Sequence, residues 1–154
     1  MKHPNTLVNT VNWFNEAVPE PTVKNFHVQL GCHFEEVREM VEEIKARQAD
    51  SVTERLLSNA HEALQDLALH FKNVEGDVAF IPDERRVKFL DALCDQVVTA
   101  TGCAHMADMA MVAGMEETNR SNWSKFVDGK PVFKANGKID KGPYYTKPDH
   151  TNNV

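Results

Sequence analysis

The sequence predicts an all-α fold, a four-helix bundle with a short N-terminal helix and an extended basic C-terminal tail. Three observations predict it. Apolar residues recur at three- and four-residue spacing over most of the first 113 positions. Helix-start signals stand in front of the long periodic runs, and no region is rich in strand patterns. At 154 residues the chain is long enough for one domain with a core of its own.

The elements follow in order. Leu7, Val8, Val11, Phe14 and Val18 have helical spacing, so residues 6–17 are expected to form a short helix that Pro19 and Pro21 close. A second, long helix is expected from about Val23 to Ala49. Ser51-Val-Thr-Glu54 has capping-box spacing and is expected to start a third helix. That helix carries Leu56, Leu57, Ala60, Ala63, Leu64, Leu67, Ala68 and Phe71 and stops near Gly76. Pro82-Asp83-Glu84 suits the first turn of a fourth helix, because proline lacks an N–H that this turn leaves unused and acids favour its positive end. This helix is expected to run to about Ala113. Residues 1–127 then make the helical domain. Residues 128–154 make a tail that completes it or docks on a neighbouring subunit, with a small hairpin possible around Asn136-Gly137.

Composition excludes several classes. Hydrophobic residues make up 42% and charged residues 26%, as in ordinary globular chains. No stretch approaches the roughly 20 apolar residues of a membrane span, and the first residues hold no apolar signal core, so no membrane association is expected. Cys32, Cys94 and Cys103 are too few for a disulfide scaffold and point to a reducing, cytoplasmic setting. The net charge of −6 is uneven. Residues 119–148 hold seven basic and two acidic side chains, +5, which leaves −11 for the rest. The acidic total and the lack of interleaved aromatics argue against nucleic acid as a partner.

Chemistry concentrates on two helix faces. On the second helix Leu30, Phe34, Val37, Val41 and Ile44 form an apolar stripe, and Glu36, Glu39 and Glu43 recur on another side at i, i+3 and i+7. Stacked like charges repel by a few tenths of a kcal/mol per pair, and a divalent cation would offset that repulsion. On the fourth helix Asp91 and Asp95 sit one turn apart inside the apolar run LDALCDQVVTATG. Two carboxylate faces in one bundle can share a cation. Oxygen donors without a His/Cys cluster favour magnesium, or manganese, over zinc.

The stretch His33-Phe-Glu35-Glu36-Val-Arg-Glu39 carries an E-E-x-x-E motif, and Asp91-Ala-Leu-Cys-Asp95 forms a second acidic motif. Downstream stand Asn119-Arg120-Ser121-Asn122-Trp-Ser124-Lys125 and Lys141-Gly142-Pro143-Tyr144. Over about residues 5–148 this ordered set resembles the all-α nucleoside triphosphate pyrophosphohydrolases, which include the MazG-like proteins, the dimeric dUTPases and phosphoribosyl-ATP pyrophosphohydrolase, and within them a phage and bacterial branch. The second motif departs from the family's usual E-x-x-D. Ala92 stands three residues before Asp95, and the acid, Asp91, stands four before. Both offsets share a helix face, so Asp91 is the candidate replacement.

The resemblance implies a MazG-like bundle that hydrolyses a nucleoside triphosphate, or a related nucleotide, to the monophosphate and pyrophosphate with Mg2+ or Mn2+. It implies Glu36, Glu39, Asp91 and Asp95 as metal ligands, and Glu35, Glu36 and Glu39 as the catalytic group. Glu35 or Glu43 would hold a further ion or activate water. Asn119, Arg120, Asn122, Lys125, Lys141 and Tyr144 are the implied substrate-binding residues. Phe14 is expected in the core, which leaves Trp13 as a candidate for stacking on the base. A homodimer or homotetramer is the expected assembly. The alternative is a non-catalytic helical module that binds nucleotide or a partner and retains the acidic faces.

Overall fold

A computed structural model of the chain describes residues 6–48 and 50–154. Ala49, the expected end of the second helix, lies outside them. The protein is all-α. Its helices are α1 (Thr6–Ala17), α2 (Val23–Glu43), α3 (Ser51–Asn73), α4 (Arg86–Met106) and α5 (Met111–Trp123), with a 3-10 turn, Asp83–Arg85, leading into α4. Among the described residues there is no strand; Val127 and Lys130 form an isolated antiparallel bridge.

Local chemistry sets the helix ends. Thr22 caps α2 through a reciprocal box: its hydroxyl accepts from the Asn25 N–H at 3.2 Å, and its own N–H donates to Asn25 Oδ1 at 2.9 Å. At the other end Ile44 turns extended (φ −83°, ψ 130°), so α2 stops at Glu43, short of the expected boundary. Glu42 and Glu43 crowd the negative end of the helix dipole there, and Lys45 Nζ donates to the Glu42 carbonyl at 2.7 Å. The cap of α3 is Asp50 rather than the expected Ser51. Its carboxylate accepts from the Val52 N–H at 3.2 Å and the Thr53 hydroxyl at 2.6 Å. The expected fourth helix is two. The chain leaves α4 after Met106, takes a left-handed residue at Asp108 (φ 59°) and restarts as α5.

The chain divides into two compact units. One comprises Met1–Pro19, Phe80–Val132 and Ile139–Val154; the other comprises Glu20–Ala79 and Phe133–Lys138. The tail read as one segment is therefore shared between them.

The second unit is built on α2 and α3, which pack antiparallel. His27, Val28, Gly31 and Ala68 are buried between them, and Phe34 stacks on Phe71 with ring centroids 6.1 Å apart. Gly31 allows the close approach. A Cβ there would stand 2.8 Å from the Ala68 carbonyl oxygen and 2.9 Å from the Lys72 backbone nitrogen. His27 Nε2 lies 2.9 Å from the Ala79 carbonyl, so that nitrogen carries the proton and donates, and the buried Nδ1 has no hydrogen-bond partner among the described residues. Lys24 Nζ donates to the Val74 carbonyl at 2.8 Å and closes the C-terminal end of α3. The tail residues 133–138 form a turn around Gly137 (φ 84°), in which the Lys134 N–H donates to the Lys138 carbonyl at 2.8 Å.

The first unit is built on α1 and α5. Trp13, Ala17 and Phe126 form its core, with Val18, Trp123 and Ile139 packed around them. Each tryptophan also donates a hydrogen bond, Trp13 Nε1 to the Asn122 carbonyl and Trp123 Nε1 to Asn9 Oδ1, both at 2.9 Å. Helix α4 adjoins the 3-10 turn and α5, and none of its residues is buried.

Candidate functional site

The acidic face of α2 is present as the periodicity predicts. Glu36, Glu39 and Glu43 are all exposed on one side of a helix whose other side packs on α3. Arg38 interleaves with this face. Its guanidinium donates to Glu42 at 2.7 Å and to Glu39 at 3.3 Å and reaches His61 Nε2 at 3.2 Å. Glu39 thus keeps a weak tie to a neighbouring cation, and more than half of its side chain is open to water.

Glu35 is placed differently from the expectation. One carboxylate oxygen accepts from Lys72 and the other from Lys138, each at 2.7 Å. Burial pushes the Glu35 carboxyl up, but the hydrogen bonds and charges of Lys138 and Lys72 outweigh it and hold its pKa below the ordinary carboxylate value. Lys138 answers in kind. Burial alone would lower it, and the bond to Glu35 with the nearby Cys32 and Glu36 raises it above the usual lysine value. Burial, the largest effect, raises the thiol pKa of Cys32 beside them. Each oxygen of the Glu35 carboxylate is thus engaged by a lysine, one from α3 and one from the tail turn. Helical periodicity and motif spacing single out neither Lys72 nor Lys138. The one local signal was Asn136-Gly137, a tight turn that fixes where Lys138 points.

Asp91 and Asp95 are exposed on α4, one turn apart. Among the described residues no three His, Cys, Asp or Glu side chains form a group that could hold a metal ion. The candidate ligands therefore stand as two carboxylate pairs, Glu36 with Glu39 in the second unit and Asp91 with Asp95 in the first. In the first unit an open cleft of about 720 Å3, lined by Phe80, Pro82, Arg85, Lys88 and Phe89 among others, brings together aromatic and cationic groups that the sequence motifs do not single out.

The implied substrate-binding residues fall into two groups. Asn119 is 1% exposed and structural: its Oδ1 accepts from the Thr10 hydroxyl at 2.9 Å and its Nδ2 donates to the Thr6 carbonyl at 3.0 Å. Trp13, expected to stack on a base, is instead a core residue at 5% exposure, while Phe14, expected in the core, is exposed. Position 13 faces α5 and position 14 does not, a distinction the short apolar pattern of α1 left open. Arg120 forks onto Glu117 at 2.6 and 2.7 Å, bonds the Thr146 hydroxyl and reaches the Lys147 carbonyl at 3.1 Å. It ties the tail to α5. Its hydrogen bonds, with the Asp149 N–H, hold the Glu117 carboxyl down to about 2. Nearer solvent, Lys125 Nζ bonds Asn122 Oδ1 at 2.7 Å and lies 5.6 Å from the centre of the Trp13 ring. Lys141 Nζ lies 4.9 Å from the Tyr145 ring, and Tyr144 is exposed.

No helix among the described residues is long and apolar enough to cross a membrane. Comparisons with protein-family models, curated proteins and solved structures find no match to this chain.

Proposed function

We propose that the protein is a magnesium-dependent nucleotide pyrophosphohydrolase of the all-α, MazG-like kind, acting in the cytoplasm on a nucleoside triphosphate or a related nucleotide. The observation that carries the reading is the pair of carboxylate faces. Glu36 and Glu39 on α2, and Asp91 and Asp95 on α4, are each about one turn apart and exposed rather than spent in a core.

The donor chemistry fits the metal. Magnesium is commonly held by only one or two carboxylates together with substrate phosphates and waters, so a pair of acids per helix is a sufficient protein share without a closed protein cage. Glu36, Glu39, Asp91 and Asp95 would supply the oxygen ligands. Bound magnesium, or manganese in its place, would neutralise the triphosphate and polarise the phosphorus under attack between the α and β positions. The chain's own contribution is positional and electrostatic. Lys125 and Lys141, both on the basic segment, would donate to phosphate oxygens, and Asn122 adds a neutral donor. Glu43, exposed on the same side of α2 as the ligand pair, is the better candidate for holding the attacking water now that Glu35 is ion-paired.

The commitments of Asn119 and Arg120 to internal hydrogen bonds favour the other reading, a non-catalytic module that binds nucleotide or a protein partner. One experiment separates the two. Canonical and modified nucleotides are incubated with the protein and magnesium, and monophosphate and pyrophosphate are resolved by chromatography. Turnover that needs magnesium and disappears in Glu36→Gln and Glu39→Gln, with helicity retained, supports the enzyme. Binding without pyrophosphate release supports the module. Asp91→Asn is diagnostic for the altered second motif: loss of turnover alongside Asp95→Asn makes Asp91 a ligand, and full activity removes it.

A further inference from the structure

Methionine is concentrated in one place. The chain has six, and four of them, Met106, Met109, Met111 and Met115, fall within ten residues. Methionine ordinarily fills gaps in a core, yet Met106 is 85% and Met109 46% exposed. The core of this unit lies elsewhere, around Trp13, Ala17 and Phe126. Met109 and Met111 line an open cleft of about 450 Å3 at the junction of α4 and α5, and His105 lines it with them.

The backbone holds these three positions together. His105 stands in the last turn of α4, and Met111 is the first residue of α5. Between them the Met109 N–H donates to the Ala104 carbonyl at 2.9 Å, the Met111 N–H to the Met109 carbonyl at 3.1 Å and the Ala110 N–H to the Asn153 carbonyl at 2.8 Å. The His105 imidazole enters no hydrogen bond or ion pair among the described residues, so its ring nitrogens are open to a ligand.

We propose that His105, Met109 and Met111 form a binding site for copper(I). The donor set selects the ion. Two thioethers and an imidazole are soft, uncharged donors, which favour copper(I) over the hard cations that carboxylates hold. Zinc fits worse. It takes thiolate, imidazole and carboxylate, and no three His, Cys, Asp or Glu side chains come together among the described residues. Glu116 lines the same cleft and offsets the ion's charge. A methionine-rich surface can also take up a helical peptide. That mode needs a long apolar groove, whereas this cleft carries an imidazole and a carboxylate and has the volume of a small-ligand pocket. The site uses none of the carboxylates proposed to hold magnesium, so it stands apart from the catalytic reading.

The test uses the full chain with its thiols blocked by N-ethylmaleimide, because Cys94 and Cys103 are exposed and would compete for a soft ion. Copper(I) is offered in the absence of oxygen as its coloured bicinchoninate complex. The protein should withdraw the ion and bleach the colour, and excess zinc should make no difference. With isotope-labelled methionine methyls, the resonances of Met109 and Met111 should move with the first copper(I) added, and that of Met40, on α2 in the other unit, should not. Met109→Leu with Met111→Leu keeps the apolar volume and should abolish the transfer while helicity is retained. A complex that keeps its colour overturns the proposal, as does a double variant that competes as well as the parent chain. If the variant does not fold, the methyl spectrum decides: Met109 and Met111 unmoved, or moved no sooner than Met40, place copper(I) elsewhere. Methyls that respond to a helical peptide and not to copper(I) overturn it too, and assign the cleft to a protein partner.

Discussion

Glu35 and Lys138 stand 103 positions apart in the chain and 2.7 Å apart in space. The contact fastens the tail turn to α2, and Lys72 completes the group from α3 at the same distance. Three segments of the second unit meet on one half-buried carboxylate.

Glu35→Gln removes the charge and leaves two lysines facing a neutral amide. A hydrogen bond to a charged group contributes about 1.5–3 kcal/mol, so the variant should lose stability of that order in urea denaturation at neutral pH. The pH dependence follows from the lowered pKa. The contribution is full above the unfolded-state value near about 4.3 and is lost as the pH falls through the lower folded-state value. The gap between wild type and variant should close over that acidic interval. A gap unchanged down to the lower value would show that the pair carries no net stability.

The hydrogen bonds of Arg120, with the Asp149 N–H, hold the Glu117 carboxyl down to about 2. Its carboxylate accepts the Asp149 N–H at 2.8 Å and the Arg120 fork. The Asp149 amide resonance should therefore stay fixed as the pH falls from neutrality through the usual carboxylate range and move only near pH 2. Arg120→Ala should bring that transition up toward the ordinary glutamate value.

Gly31→Ala tests the spacing of α2 and α3. Alanine is the better helix former by about 1 kcal/mol. Its methyl would meet backbone atoms of Ala68 and Lys72 closer than 3.0 Å, and backbone cannot swing aside. Overpacking of this kind costs about 1–3 kcal/mol, so the substitution should be destabilising on balance. A raised melting temperature would mean that the two helices separate easily.

Asn119→Ala removes both partners of a buried polar knot and leaves the Thr6 carbonyl and Thr10 hydroxyl to each other. The expected cost is about 1–3 kcal/mol, read by thermal denaturation. Any nucleotide affinity, measured well below the midpoint, should be unchanged, because the side chain is too deep to touch a ligand. A lost affinity with full stability would return Asn119 to the substrate-binding group.

The sequence was most legible where local signals and periodicity agree. Residues 6–17 are α1 as expected, and α2 and α3 start where Val23 and Ser51 stand. The misses lie where neighbours compete. Asp50 outbid Ser51 for the cap because its carboxylate reaches two donors. The apolar pattern runs through residues 107–110, yet the backbone breaks there at Asp108, which adopts a left-handed φ with little strain. At the candidate site, exposure of Glu36 and Glu39 followed from the wheel. The capture of Glu35 did not, because a helix wheel carries no information about a lysine more than a hundred residues away. Trp13 and Phe14 exchanged roles for the same reason: which of two adjacent aromatics turns inward is decided by α5, not by α1.

Both tryptophans and both tyrosines, Trp13, Trp123, Tyr144 and Tyr145, belong to the first unit, and the second unit holds none. Intrinsic fluorescence therefore watches only half of this molecule. Far-ultraviolet dichroism sees both halves, since α2 and α3 are as helical as α4. Any separation between the two unfolding curves would date the loss of each unit independently, and their coincidence would mean that one cooperative transition spans the chain.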